Sequence, residues 1–134
     1  MAEEFIDKIA LIYIKDRRIL MALSRGKDVY YIPGGKREGG ETDERALARE
    51  IKEELNVEIL PETLRYHGTF AAQAHGKPEG TIVRMVCYAA VFPGEPEPGA
   101  EIQDLAYYAF AQRNIVGPVD QLIFDDLKKK NLIE

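Results

Sequence analysis

Glu50, Glu53 and Glu54 fall within five residues, in the stretch REIKEEL over 49–55. Carboxylates at i, i+3 and i+4 leave one face of a helix, within an arc of about 100°. Oxygen donors gathered in this way can hold a hard divalent cation. Mg2+ takes one or two carboxylates and fills its remaining positions with water and phosphate oxygens. The chemistry such an ion supports is displacement at phosphorus, through charge neutralisation and an activated water. A solvated acidic face is the other reading that this window, by itself, leaves open.

The element that must position these acids is a helix over 42–55. Thr42 suits its N-cap, and Asp43 and Glu44 suit its first turn. The three glutamates then sit at the negative end of the helix dipole, which costs roughly 0.3–1 kcal/mol each. Glu50 and Glu54 repel each other across one turn by roughly 0.2–0.5 kcal/mol more. Leu47, Ile51 and Leu55 form an apolar stripe beside them, so the acids fall at the rim of the packed face. Lys52 points away, and Arg49 is the one nearby cation. His67 and His75 have no partner at metal-ligand spacing.

Upstream, PGGKREGGET over 33–42 does not fit the phosphate-loop pattern in register. It reads as a turn in which Gly34 and Gly35 permit close backbone approach to a ligand, leading into the helix. Residues 9–25 read as an antiparallel hairpin around KDRR, and 28–35 as a short strand. Further strands are expected at 57–60, 64–74, 81–92 and 104–110, with a turn over 75–80 and a Pro/Gly-rich surface loop over 93–100. A closing helix spans 118–130, with Pro118 in its first turn. This order predicts an α+β fold with a mixed β-sheet between helices.

A chain of 134 residues with 46% hydrophobic and 31% charged residues fits one globular domain over 1–134. The longest apolar runs, 9–14 and 86–92, are too short to cross a bilayer. The start MAEEFIDK lacks the features of a signal peptide, so the cytoplasm is the expected compartment and no membrane partner is expected. Cys87 is the only cysteine, which excludes an intrachain disulfide. A net charge of −5 argues against polymeric nucleic acid as a partner.

Gly35, five residues, Glu41, seven residues, and then Arg49-Glu50-Ile51-Lys52-Glu53-Glu54-Leu55-Asn56-Val57 resembles the Nudix box, G-x5-E-x7-R-E-U-x-E-E-x-G-U, with U apolar. Eight of the nine defined positions match over 35–57. Asn56 stands where glycine is usual, at a helix end where φ > 0 is expected and asparagine is well tolerated.

The resemblance implies a Nudix-type α/β/α sandwich that hydrolyses a diphosphate linkage in a small nucleotide, with Mg2+ or Mn2+ as cofactor. It implies Glu50, Glu53 and Glu54 as metal ligands, with the Gly34 or Gly35 carbonyl as a further one. Glu41 and Arg49 would tie the loop to the helix. Glu53 is the first candidate for the group that takes the water's proton, and Glu101, after the 93–100 loop, is the second. Arg25 and Lys36 correspond to phosphate contacts, and Asp120 to the position that reads a purine. Lys27, Arg37 and Arg84 are further cations near the site elements, and Tyr30 and Tyr31 are candidate stacking or core residues.

The short build resembles MutT-like enzymes. A nucleoside triphosphate, oxidised purines included, cut to monophosphate and pyrophosphate is therefore the first expectation. ADP-ribose, dinucleoside polyphosphates, nucleotide sugars and a non-catalytic nucleotide-binding role are alternatives. Homodimers are common in the family, though no patch in this sequence identifies an interface.

Overall fold

The alternation of side chains along β1 (Phe5–Ile12) sets the architecture. Ile9 and Leu11 pack against Leu47, Ile51 and Leu55 of α1 (Asp43–Leu55). Ala10 and Ile12 pack on the opposite side, against Ile123, Phe124 and Leu127 of α2 (Pro118–Lys129). The neighbouring β3 (Arg18–Ser24) divides likewise, with Leu20 toward α1 and Ile19 and Met21 toward α2. A strand buried on both faces reads as a continuous apolar run, as residues 9–12 do. The result is the α/β/α sandwich expected. The computed structural model describes residues 5–134.

One sheet has four strands in the order β4 (Gly34–Lys36), β1, β6 (Ile82–Ala89), β5 (Arg65–Gln73). β1 runs parallel to β6, and the other two pairings are antiparallel, so this sheet is mixed. The second sheet is antiparallel, in the order β2 (Ile14–Lys15), β3, β7 (Ile102–Tyr108).

The hairpin expected over 9–25 is confined to β2 and β3. Asp16 and Arg17 form its turn with φ of 52° and 61°, the left-handed pair that a two-residue hairpin turn requires. β1 belongs to the other sheet, where eight consecutive residues find partners on β6. No strand spans 28–35 either. Tyr31 makes a single bridge to Ala22 of β3, the Pro33 carbonyl accepts from Leu11 N–H at 2.9 Å, and β4 then pairs with β1. The segment thus crosses from one sheet to the other. Residues 57–60 form no strand, although Val57 and Ile59 are buried.

α1 begins and ends as its sequence predicts. Thr42 Oγ1 accepts from Arg45 N–H at 3.2 Å, a cap worth about 1 kcal/mol. Asn56 adopts the left-handed conformation at φ 56° and donates its N–H to the Lys52 carbonyl at 3.1 Å. No helix among the described residues is long and apolar enough to cross a membrane.

Candidate active site

The crossing segment meets the last turns of α1, and two glycines make the contact. A Cβ on Gly34, whose φ is 148°, would lie 2.0 Å from the Ile9 carbonyl oxygen, so no other residue fits there. Its N–H donates to Glu54 Oε1 at 3.0 Å. The Tyr31 hydroxyl donates to Glu54 Oε2 at 3.2 Å and lies 2.9 Å from Ser24 Oγ. A Cβ on Gly35 would fall 2.5 Å from Glu50 Oε2. The backbone of 34–35 therefore lies directly against both carboxylates.

Burial pushes the Glu54 carboxyl up to about 7, and the charge of Glu50 adds to this. The Gly34 N–H, the Tyr31 hydroxyl and the Lys8 charge act in the opposite sense. Glu50 is also raised, by burial and then by the charges of Glu53 and Glu38, against the pull of Arg49. Tyr31 is raised by burial and by Glu54.

Arg49 ties the loop to the helix. Its Nε and Nη2 donate to the two Glu41 oxygens at 2.8 and 2.9 Å, a bidentate pairing. Nη1 donates to Glu50 Oε1 at 2.9 Å, and Nη2 to the Lys36 carbonyl at 3.0 Å. Arg49 and the Glu38 N–H hold the Glu41 carboxyl down at about 2. Arg37 and Arg84, phosphate contacts by sequence, are both paired with carboxylates, although Arg37 also lines the cavity that Glu50 and Glu54 face. Arg37 donates to Asp43 at 2.6 Å and to Asp7 at 2.7 Å, and Arg84 donates to Asp7 at 3.0 Å.

Glu50 and Glu54 open onto a cavity of about 930 Å³ that is also lined by Gly35, Lys36, Lys27 and Lys77. A second cavity of about 180 Å³ has apolar walls from Ile6, Val83 and Met85, with Tyr30 beside them. Ile6, Lys8, Tyr31, Gly34 and His75 line both, so the two form one continuous groove. Asp120 stands in the smaller cavity, 4% exposed, and its Oδ1 has no hydrogen-bond partner. Burial pushes its carboxyl up to about 7, against the charge of Lys8 and the backbone N–H of Ile32.

Three expected site residues lie outside this groove. Glu53 is on the outer side of its turn, with a side chain 60% exposed and 3.6 Å from Arg49 Nη1. Arg25 lines neither cavity. Its Nε donates to the Ala100 carbonyl at 3.0 Å, and its N–H to the Glu101 carbonyl at 2.9 Å. Glu101 is exposed and lines neither cavity. The 93–100 loop instead covers the end of α1. Glu97 and Gly99 donate their N–H groups to the carbonyls of Leu55 and Glu54, both at 2.8 Å, and a Cβ on Gly99 would fall 1.8 Å from the Glu53 carbonyl oxygen. Lys8, Ser24 and Gly99 escape sequence reading, because each depends on a long-range packing that no local pattern encodes.

Among the described residues, no group of three His, Cys, Asp or Glu side chains comes together closely enough to hold a metal as they stand. The donor set still fits a hard divalent ion. Two half-buried carboxylates face one cavity, and each raises the other's pKa or is raised by its neighbours' charge. A cation would relieve that unfavourable field, with water and phosphate oxygens completing its shell.

The profile of the NUDIX domain matches residues 7–124. An ADP-ribose pyrophosphatase from Methanocaldococcus jannaschii is 30% identical over 97 residues, which are 70% of this chain and 56% of the relative's own length. The chain thus spans little more than half of that protein. The MutT protein from Methanosarcina mazei superposes with a TM-score of 0.77 at 12% identity, covering 98% of both chains. A bifunctional NMN adenylyltransferase/ADP ribose pyrophosphatase from Francisella tularensis, solved with AMP and a Mn ion, superposes with a TM-score of 0.68 at 22% identity. That match covers 96% of this chain and 42% of the other. At such identities the two structures show likeness of fold. The profile match, which covers most of the chain, means that this chain belongs to the NUDIX family.

Proposed function

We propose that residues 1–134, with the Nudix box over 35–57, form one hydrolase domain that cuts a nucleoside triphosphate to monophosphate and pyrophosphate. Mg2+ is the cofactor in this reading, Mn2+ can take its place, and the cytoplasm is the compartment. The observation that carries it is the buried, unpartnered Asp120 Oδ1 in an apolar cavity continuous with the Glu50 and Glu54 carboxylates. A buried acceptor without a partner is costly, and a purine N–H supplies one. A base seated there directs its phosphates along the groove toward Glu50, Glu54 and the lysines at its open end.

Glu50 and Glu54, with the Gly35 carbonyl, hold the metal in this reading. When bound, the ion supplies charge neutralisation and lowers the pKa of the attacking water. Arg49 fixes Glu50, and the Gly34 N–H and Tyr31 hydroxyl fix Glu54. The water oxygen forms a bond to phosphorus, the bond to the bridging oxygen breaks, and Glu53 takes the water's proton and passes it to solvent. Glu53 would be a third metal ligand in this reading.

ADP-ribose is the second reading, favoured by the Methanocaldococcus relative. Ion-exchange analysis of products from nucleoside triphosphates (8-oxo-dGTP among them), ADP-ribose, diadenosine polyphosphates and nucleotide sugars, with and without Mg2+, tests both. Metal-dependent release of monophosphate and pyrophosphate is the expected result. Turnover of ADP-ribose alone moves the second reading to the front, and turnover of nothing removes both.

A further inference from the structure

Lys8 and Lys36 stand directly opposite each other in the antiparallel pairing of β1 with β4. Side chains of such a pair leave the same face of the sheet about 5 Å apart, and like charges there are destabilising. Both lysines line the larger cavity, and Lys8 lines the smaller one as well. Lys8 is thus common to the cavity that holds Asp120 and the one that holds Glu50 and Glu54. The Lys8 charge favours the ionised form of Glu54 on one side and of Asp120 on the other.

A cation placed against another cation and between two acids has a use once an anion must pass that point. Without Lys8, a phosphate joining a base at Asp120 to a diphosphate at Glu50 and Glu54 would face uncompensated carboxylates. With Lys8 and Lys36 side by side, the same phosphate meets two donors on a rigid strand pair.

We propose that Lys8 is a substrate-binding residue, which with Lys36 grips the phosphate adjacent to the nucleoside where the two cavities meet. The inference rests on the nucleotide reading above. It also assigns Lys8 a charge that acts on phosphate and does not discriminate between bases. In the free protein the charge is opposed by Lys36 and favoured by Glu54 and Asp120, so stability alone does not report its role.

The test is Lys8→Met, which keeps the length of the side chain and removes the charge, together with Lys8→Arg. Steady-state kinetics are measured on ATP, GTP, CTP and UTP, and on whichever nucleotide the wild-type protein turns over fastest. Thermal melts are recorded without metal or nucleotide. Lys8→Met is expected to lower kcat/KM by about 10- to 100-fold, chiefly through KM and by a similar factor for every base, as loss of a charged hydrogen bond would do. Lys8→Met should still melt cooperatively, and Lys8→Arg should recover most of the activity. A loss confined to one base would make Lys8 a base reader and overturn the assignment. So would unchanged kinetics, or a folded Lys8→Arg protein that recovers none of the activity. Turnover by the wild type keeps the nucleotide reading standing in each of these cases. A wild type inactive on every nucleotide removes that reading, and the Lys8 assignment falls with it.

Discussion

Asp120→Asn separates the electrostatic cost of the buried carboxyl from its packing. The carboxyl is 4% exposed, lacks a partner at Oδ1, and is pushed up to about 7 from an ordinary value of 3.8. An acid whose folded pKa is raised holds its proton more tightly in the native state. Its contribution to stability therefore falls as pH rises from about 4 to about 7, and is flat above that. Integrating over this window with 1.36 kcal/mol per unit gives a penalty of about 4 kcal/mol at pH 8 and under about 2 kcal/mol at pH 5. Asparagine removes the titration but leaves an amide whose N–H groups are unpaired, a cost of about 1–3 kcal/mol at either pH. The absolute change in stability is thus a difference of similar numbers. Its change with pH is not. Relative to wild type, the variant should gain about 2–3 kcal/mol on going from pH 5 to pH 8, on the order of 10 °C in melting temperature. Paired melts in EDTA at the two pH values measure it. A wild-type-to-variant difference that is the same at both would refute the reasoning, because it would mean that Asp120 is as well solvated as an exposed carboxylate. The same variant should also lose discrimination between bases while keeping its Mg2+ dependence.

At pH 8, Glu54→Gln should raise the melting temperature of the metal-free protein and abolish the stabilisation by millimolar Mg2+, whereas Glu53→Gln should keep most of that stabilisation and lower kcat. Melts with and without Mg2+, paired with single-substrate kinetics, check both. Gly35→Ala places its Cβ on the end of the flexible Glu50 side chain, so it should cost under about 1 kcal/mol of stability yet at least tenfold in activity, read by denaturant melts and turnover. Gly99→Ala meets the rigid backbone of Glu53 instead and should destabilise by about 1–3 kcal/mol, as overpacking does, visible as a lowered urea midpoint.

The helix and its ends were legible because their signals are local. Thr42, the apolar stripe and Asn56 act within a few residues of themselves, and the structure places each as expected. Sheet membership was not legible. Residues 9–14 and 19–23 look like two arms of a hairpin, and only pairing with β6, some seventy residues away, draws β1 into the other sheet. Tyr31 reads as part of a strand but lies at the crossover between sheets, which is why its hydroxyl reaches Glu54. Cations near the site mislead for a related reason. Arg25 and Arg84 line neither cavity and are engaged by a backbone carbonyl and by Asp7, whereas Lys8 lines both cavities and carries no sequence motif.

The position of three acids at the negative end of α1 is less costly than the dipole rule alone suggests. The carbonyls of Glu54 and Leu55, which carry the partial charge of that end, accept N–H groups from Gly99 and Glu97, and Asn56 closes on Lys52. Each such bond removes an orphan acceptor that would otherwise repel the carboxylates nearby. Arg49 offsets Glu50 and reaches toward Glu53. What the fold compensates least is Glu54, which faces the groove. Glu54 receives the Gly34 N–H and the Tyr31 hydroxyl, and its carboxyl still stands at about 7, because burial and Glu50 outweigh them. The protein thus neutralises the helix end by backbone and concentrates its unfavourable charge where the groove can admit a cation. The 93–100 loop, expected as a surface loop with a candidate base, Glu101, at its end, is the element that makes this division work. It is held from below by α1 and from above by Arg25, so Arg25 serves the carboxylates by fixing the loop that caps their helix.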